Sequence, residues 1–270
     1  MTREGPFPRG GIRKEHLPQE GCQKMTEIYK NPIFINSVTH KSVRVAPLAN
    51  YFFARKLNSV LSVGQEFLEA AKFYPVVFTK NAAGEYAAVI ILGLLREDNL
   101  LVDPKGNWKP GFYIPAFLRR YPFILAGNIG EDNSFAVCVD SAYEGFGKKK
   151  GMALFDREGR QTNEFTKVIE FLQNFQLQHE KTKTFVTLLT EYALFKEVTA
   201  NITTPAGAKI GMGGLFMIDE EALLTLPDEK VLKLFREGYL TWIYAHLYSL
   251  SNFRSLAALT DKSVNRASPD

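Results

Sequence analysis

The sequence predicts an α+β protein: antiparallel or mixed sheet structure in the N-terminal half, and a mostly helical C-terminal half with one inserted β-hairpin. Three observations predict it. Between Val76 and Asp140 short apolar runs alternate with turn residues, as strands joined by tight connections require. From Thr162 to about Tyr192 the apolar residues Val168, Phe171, Leu172, Phe175, Phe185, Leu188 and Leu189 recur at helical spacing. Val198–Thr204 and Lys209–Ile218 flank Pro205-Ala206-Gly207, which is hairpin chemistry. A chain of 270 residues that is 46% hydrophobic and 23% charged can bury its own core, which excludes wholesale disorder and a disulfide scaffold.

The elements follow in order. Residues 1–24 hold glycines, prolines and few large apolar groups, and read as a disordered extension, with Met25 as a possible functional start. Residues 31–63 have no clear pattern. Ser62-Val63-Gly64-Gln65 is a capping-box pattern for a helix to about Phe73, with Phe67, Leu68 and Ala71 inward. Tyr74-Pro75 stops it, because the residue before proline avoids helical geometry. Strands are expected at Val76–Phe78, Tyr86–Leu94 and Asn99–Asp103, the second apolar on both faces and hence central. A short helix at Ile114–Arg120 ends at Tyr121-Pro122, and a strand pair at Phe123–Leu125 and Ser134–Asp140 follows.

Two stretches use the same punctuation. Tyr74-Pro75 leads to Asp103-x-x-Gly106, and Tyr121-Pro122 leads to Asp156-x-x-Gly159. Either they are a diverged duplication or two hairpin units stopped by similar residues. Thr162 can cap the long helix, which the polar run 178–184 could break in two. Asp219 and Asp228 are caps for two short helices, and Gly238 ends the second. A final helix is expected from Tyr239 to about Leu259, followed by a frayed tail at 260–270. The simplest organisation is one α+β domain over 25–259, with room for two lobes meeting near residue 160.

Charge and cysteine narrow the function classes. The net charge of +4 falls to +2 without residues 1–24, a weak basis for a nucleic-acid partner. Cys22 and Cys138 form no metal spacing, and Cys138 sits in the apolar run Phe135–Val139. The N-terminus lacks the apolar core of a secretory signal, and the longest apolar run, Tyr86–Leu95, is half of what a membrane span needs. A cytoplasmic chain without a membrane span is the expectation.

No nucleophile elbow, zinc-protease, P-loop or EF-hand motif occurs, and His16, His40, His179 and His246 form no metal pair, so neither a metal nor another cofactor is expected. Gly145-Phe146-Gly147-Lys148-Lys149-Lys150-Gly151 is phosphate-like, but apolar Met152–Phe155 follows where a phosphate loop needs a helix start, so a solvated loop is favoured. Gly211-Met212-Gly213-Gly214 is similar, but a glycine cluster inside a strand is read as a bulge or a close backbone approach. Asp103 and Asp156 are either carboxylate sites or local acceptors of Asp-x-x-Gly turns, the latter favoured. Arg119-Arg120-Tyr121 could bind a carboxylate or phosphate through the planar arginine fork, against an ion pair at a helix end. His246, on a helix with Trp242, Tyr244 and Tyr248, is an acid, base or ligand candidate, against a hydrogen-bonded core histidine.

Four segments taken together resemble the bacterial SapC family. They are Tyr74–Phe78, Tyr113–Phe123, Leu154-Phe155-Asp156-Arg157-Glu158-Gly159 and Ile243–Asn252, in that order within roughly residues 28–258. The resemblance implies an accessory role around surface-layer proteins, envelope transport or peptide modification. It also implies functional links to tryptophan halogenase-like, cupin-like and TonB-dependent receptor proteins. It brings no catalytic residues, and the lack of a span argues against a permease of the same name. The candidate binding residues are thus Arg119, Arg120, Tyr121, Asp156, Tyr244, His246 and Asn252. The expected function is a non-catalytic accessory protein that binds a protein or peptide. The alternative is an enzyme of peptide or amino-acid modification with a site near His246 and Arg119/Arg120. An anion or nucleic-acid site at Lys148–Lys150 ranks third.

Overall fold

The computed structural model describes residues 28–81, 83–129 and 134–267, so the expected extension at 1–24 and the start at Met25 lie outside the described residues. The chain is α+β, and all of its described strand pairs are antiparallel. It divides into two compact units: residues up to Ala49 with Arg120–Gln176, and Asn50–Arg119 with Leu177 onward.

The first unit holds β1 (Pro32–Phe34), β2 (Arg44–Val45), β6 (Phe123–Ile129), β7 (Ser134–Asp140) and β8 (Met152–Ala153). Its three-stranded sheet has the order β1-β7-β6, and β2 pairs with β8. The core comprises Phe123, Leu125, Val139, Leu154, Phe155, Phe165 and Leu172, the last two from the start of the long helix. Cys138 is fully buried in β7, the position of a small hydrophobe.

The second unit contains β3 (Ser59–Leu61), β4 (Val76–Lys80), β5 (Tyr86–Ile91), β9 (Phe195–Thr203) and β10 (Lys209–Ile218), in the order β3-β5-β4-β10-β9. β5 is therefore internal, as its two apolar faces demand. The expected hairpin is β9–β10, and its register shifts between Met212 and Leu215, where Gly214 has a φ of 69°. The glycine cluster is thus a bulge.

The helices are α1 (Phe67–Ala70), α2 (Ala116–Arg119), α3 (Asn163–Glu191), α4 (Glu220–Leu224), α5 (Asp228–Arg236), α6 (Tyr239–Ser249) and α7 (Phe253–Ala267). Several differ from expectation for local reasons. α1 is one turn long behind a 3₁₀ turn at Gly64–Glu66, and Leu68 is 54% exposed rather than inward. Glu66, not Gln65, reaches back to the start of that turn. No strand forms at Asn99–Asp103: Asn99 donates to Ala54 O and accepts from the Leu101 N–H, which turns the chain. α3 is unbroken through 178–184, where Thr182 and Thr184 bond back to carbonyls four residues earlier. Asp219 caps α4 by accepting from the Glu221 and Ala222 N–H groups, whereas Asp228 sits inside the first turn of α5 behind Pro227. A 3₁₀ turn at Leu250–Asn252 separates α6 from α7, which continues to Ala267, past the expected start of the tail.

The two similarly punctuated stretches have matching structures. In each, Tyr-Pro opens a hairpin, and the proline carbonyl accepts from the far strand: Pro75 from Ile91 N–H and Pro122 from Asp140 N–H, both at 2.9 Å. In each, a third strand pairs with that far strand, β3 on β5 and β1 on β7. The turns repeat as well. Asp103 Oδ1 accepts from Lys105 and Asn107 N–H, and Asp156 Oδ1 from Glu158 and Arg160 N–H. Gly106 and Gly159 have φ of 83° and 82°, and Val102↔Trp108 corresponds to Phe155↔Gln161. The two stretches thus share strand order, hydrogen bonds and turn geometry, and in sequence β3, β4 and β5 of the second unit are nested between β1 and β6–β7 of the first.

Candidate functional site

One organised polar arrangement lies in the second unit, around the buried Glu66. The 3₁₀ turn before α1 brings Glu66 under the segment that leads into α2. Its Oε1 accepts from Ser62 Oγ at 3.1 Å and Val63 N–H at 3.2 Å. Its Oε2 accepts from Tyr113 Oη at 2.8 Å and Ala116 N–H at 2.9 Å. Burial raises the carboxyl above its ordinary range, and these four hydrogen bonds pull in the opposite direction without cancelling it. The side chain thereby ties two chain segments fifty residues apart.

Tyr113 carries that arrangement outward. Its hydroxyl accepts from Arg119 Nη2 at 3.1 Å, and the exposed guanidinium lies 5.5 Å from the centre of the Tyr113 ring. Burial, then the Glu66 charge, raises the Tyr113 hydroxyl above its ordinary range, with Arg119 opposing. The backbone carbonyl of Tyr113 accepts from Tyr74 Oη at 2.6 Å. Burial raises Tyr51 also, and the Arg119 charge lowers it in turn. Tyr51 meets Trp108 edge-on at 5.5 Å and lies 6.0 Å from Phe53. Lys109 lies 5.5 Å from the Phe112 ring. The result is a cationic, aromatic surface standing on a buried, fully bonded carboxylate.

The other sequence-selected residues have separate surroundings. Arg120 is buried in the first unit, 4.8 Å from the Phe175 ring. Burial lowers its guanidinium, and the neighbouring Tyr29 opposes this. Tyr121 donates to Asp140 Oδ2 at 3.3 Å and stacks at a tilt on Tyr29, 5.5 Å away. The buried Asp140 carboxylate also accepts from the N–H groups of Lys30, Asn31 and Ala142. Asp156 is engaged in its own turn and by Arg160 Nε at 2.8 Å. Its carboxyl bears some burial cost, but the hydrogen bonds from Arg160 and Glu158 hold it below its ordinary value.

His246 is fully buried in the second unit. Its Nδ1 donates to Val76 O at 2.6 Å and its Nε2 accepts from Ile218 N–H at 3.1 Å, which fixes the neutral tautomer. Burial lowers it to about 4. Asn252 donates to Ala71 O at 2.7 Å, and Tyr244 and Tyr248 are exposed on α6. Arg119 is therefore the one selected residue in the Glu66 arrangement. Sequence reading passed over Glu66, Tyr113, Tyr51 and Trp108. The spacing Val63-x-x-Glu66 was the available signal for Glu66, since a glutamate there reaches the N–H at the turn's start.

The lysine loop closes on β2: Gly147 N–H donates to Arg44 O and Arg44 Nη1 to Gly151 O, and β8 follows. Lys148–Lys150 are exposed. Among the described residues no three His, Cys, Asp or Glu side chains gather as a metal ion requires. No helix among them is long and apolar enough to cross a membrane.

A family model for SapC matches residues 35–256. The chain belongs to the SapC family. No curated protein and no solved structure matches it.

Proposed function

We propose that this SapC-family chain is a non-catalytic accessory protein that binds a protein or peptide partner in the cytoplasm. It would serve a surface-layer, envelope-transport or peptide-modification system. The observation that carries the reading is the Arg119–Tyr113–Glu66 arrangement: an exposed guanidinium and aromatic rings held in fixed positions by a buried carboxylate. Aromatic and arginine side chains on a rigid base are the usual anchors of recognition. His246 supports the same reading, because both ring nitrogens are bonded to backbone groups. The partners this reading names are tryptophan halogenase-like, cupin-like and TonB-dependent receptor proteins.

Co-expression of the untruncated chain with each of those three protein types, followed by purification through a tag on one member, tests the proposal. Stoichiometric co-purification of one of them is expected. Recovery of the chain alone in every pairing, and from its native cells, would sink it.

A further inference from the structure

We propose that the lysine loop, residues 147–151, is a docking surface for an acidic, extended segment of a partner protein. The proposal goes beyond the reading above, because this surface belongs to the first unit and owes nothing to Arg119. Three features carry it.

The first is a fixed backbone. Val45 of β2 pairs with both Phe146 and Met152, the residues that flank the loop. A strand has two edges, so the loop crosses β2 from one edge to the other. Gly147 N–H donates to Arg44 O at 2.9 Å at one end, and Arg44 Nη1 donates to Gly151 O at 2.7 Å at the other. Gly147 has a φ of 73°, and a Cβ on Gly151 would lie 2.5 Å from Val45 O. Both ends of the crossing therefore call for glycine, and the three lysines between them stand on a backbone held at each end.

The second is charge. Lys148, Lys149 and Lys150 are exposed, and among the described residues no carboxylate forms a salt bridge with any of them. The exposed Arg44 adds a fourth cation at the base of the loop, against the single carboxylate of Glu144 in the turn before it. Adjacent ammonium groups repel one another, so the fold gains nothing from the triplet, and a bound anion relieves the repulsion. The third is what surrounds the charge. Phe146 and Met152 pack half-buried against the core of the first unit. The loop between them offers no ring to stack on a base and no apolar side chain to enter a bilayer. Three residues span roughly 10 Å, which suits a few carboxylates of an extended chain and falls short of the about six to ten phosphate contacts of a duplex binder. Lysine, a point charge on a flexible stem, suits irregularly spaced carboxylates. Such a contact steers a partner into place and weakens with salt.

The test titrates the full chain into rhodamine-labelled hexaglutamate and reads fluorescence anisotropy at about 20 mM and about 200 mM NaCl. Labelled hexaglutamine, labelled oligothymidylate and phosphatidylserine vesicles are the comparisons. Saturable binding of hexaglutamate is expected at the lower salt, at least tenfold tighter than hexaglutamine and several-fold weaker at the higher salt. Lys148→Gln, Lys149→Gln and Lys150→Gln combined should weaken it at least tenfold, with the thermal midpoint unchanged because all three side chains are exposed. Lys105→Gln, Lys209→Gln and Lys233→Gln combined remove the same charge from the second unit and should leave binding within twofold. No saturable binding, an unaffected loop variant, or equal losses in both triple variants would each overturn the assignment. Loop-dependent binding of oligothymidylate or vesicles tighter than that of hexaglutamate would overturn it as well.

Discussion

Tyr113 donates its hydroxyl proton to Glu66 at 2.8 Å while the same oxygen accepts from Arg119 at 3.1 Å, so a buried carboxylate positions an exposed guanidinium through one phenol. Tyr113→Phe should keep the ring under Arg119 but remove one of the four donors to the buried Glu66 carboxylate, which should cost about 1–3 kcal/mol in thermal unfolding.

Glu66→Gln should destabilise the protein by about 1–3 kcal/mol, because an amide nitrogen would face donors where a carboxylate oxygen now accepts. The pH dependence has a definite sign. The folded carboxyl titrates above its ordinary 4.5, so the unfolded chain releases the proton first and stability falls as pH rises through that window. Urea unfolding of both proteins from pH 4 upward should show this fall in the wild type and not in the variant.

His246 acts in the opposite pH direction. Folded His246 titrates at about 4 instead of 6.5. Between those values the unfolded chain takes up a proton that the folded chain refuses, so stability drops as pH falls from 6.5 and the loss is complete below about 4. The difference amounts to roughly 3 kcal/mol. His246→Gln should lower stability at pH 7 and flatten this acid-side decline, as measured by denaturant midpoints. An unchanged slope would contradict the buried neutral tautomer.

Two glycines should respond in opposite ways. A Cβ at Gly64 would lie 2.3 Å from ring carbons of Trp242. Gly64→Ala should therefore cost about 1–3 kcal/mol through overpacking. Gly213 has open space at its Cβ position and no left-handed φ. Gly213→Ala should be neutral or stabilise by up to about 1 kcal/mol. Thermal unfolding of the two variants side by side checks both.

Cys138 is fully buried, and burial pushes its thiol up to about 12. Iodoacetamide at pH 8 should leave it unmodified in the native protein and label it quantitatively in urea. Peptide mapping would reveal the difference.

The sequence made legible those parts of the fold in which pattern and punctuation act locally. Short apolar runs that follow Tyr-Pro became the hairpins β4–β5 and β6–β7, Asp-x-x-Gly became turns, and the helical period from Val168 to Leu189 became α3. The errors arose where a side chain's distant partner decided. Asn99 could have sat in a strand, but its bonds to Ala54 and Leu101 impose a turn. The polar run 178–184 looked like a break, yet Thr182 is bonded within α3 and accepts from Gly64 N–H. Residue patterns leave a duplication and two like hairpin units both open, because the two hairpins share few residues; what the structure adds is their matching backbone bonds. At the candidate site Arg119 was readable by type, whereas its support was not: Glu66 and Tyr113 are 47 positions apart.

The central claim is that the Arg119 surface binds a partner, and one comparison tests it most directly. The untruncated chain and its Arg119→Gln variant are purified in parallel from native cells after mild cross-linking, and co-purifying proteins are quantified by mass spectrometry. The account predicts one stoichiometric partner with wild type, reduced at least tenfold with the variant. Wild-type chain recovered alone, or a partner recovered equally with both, would contradict it.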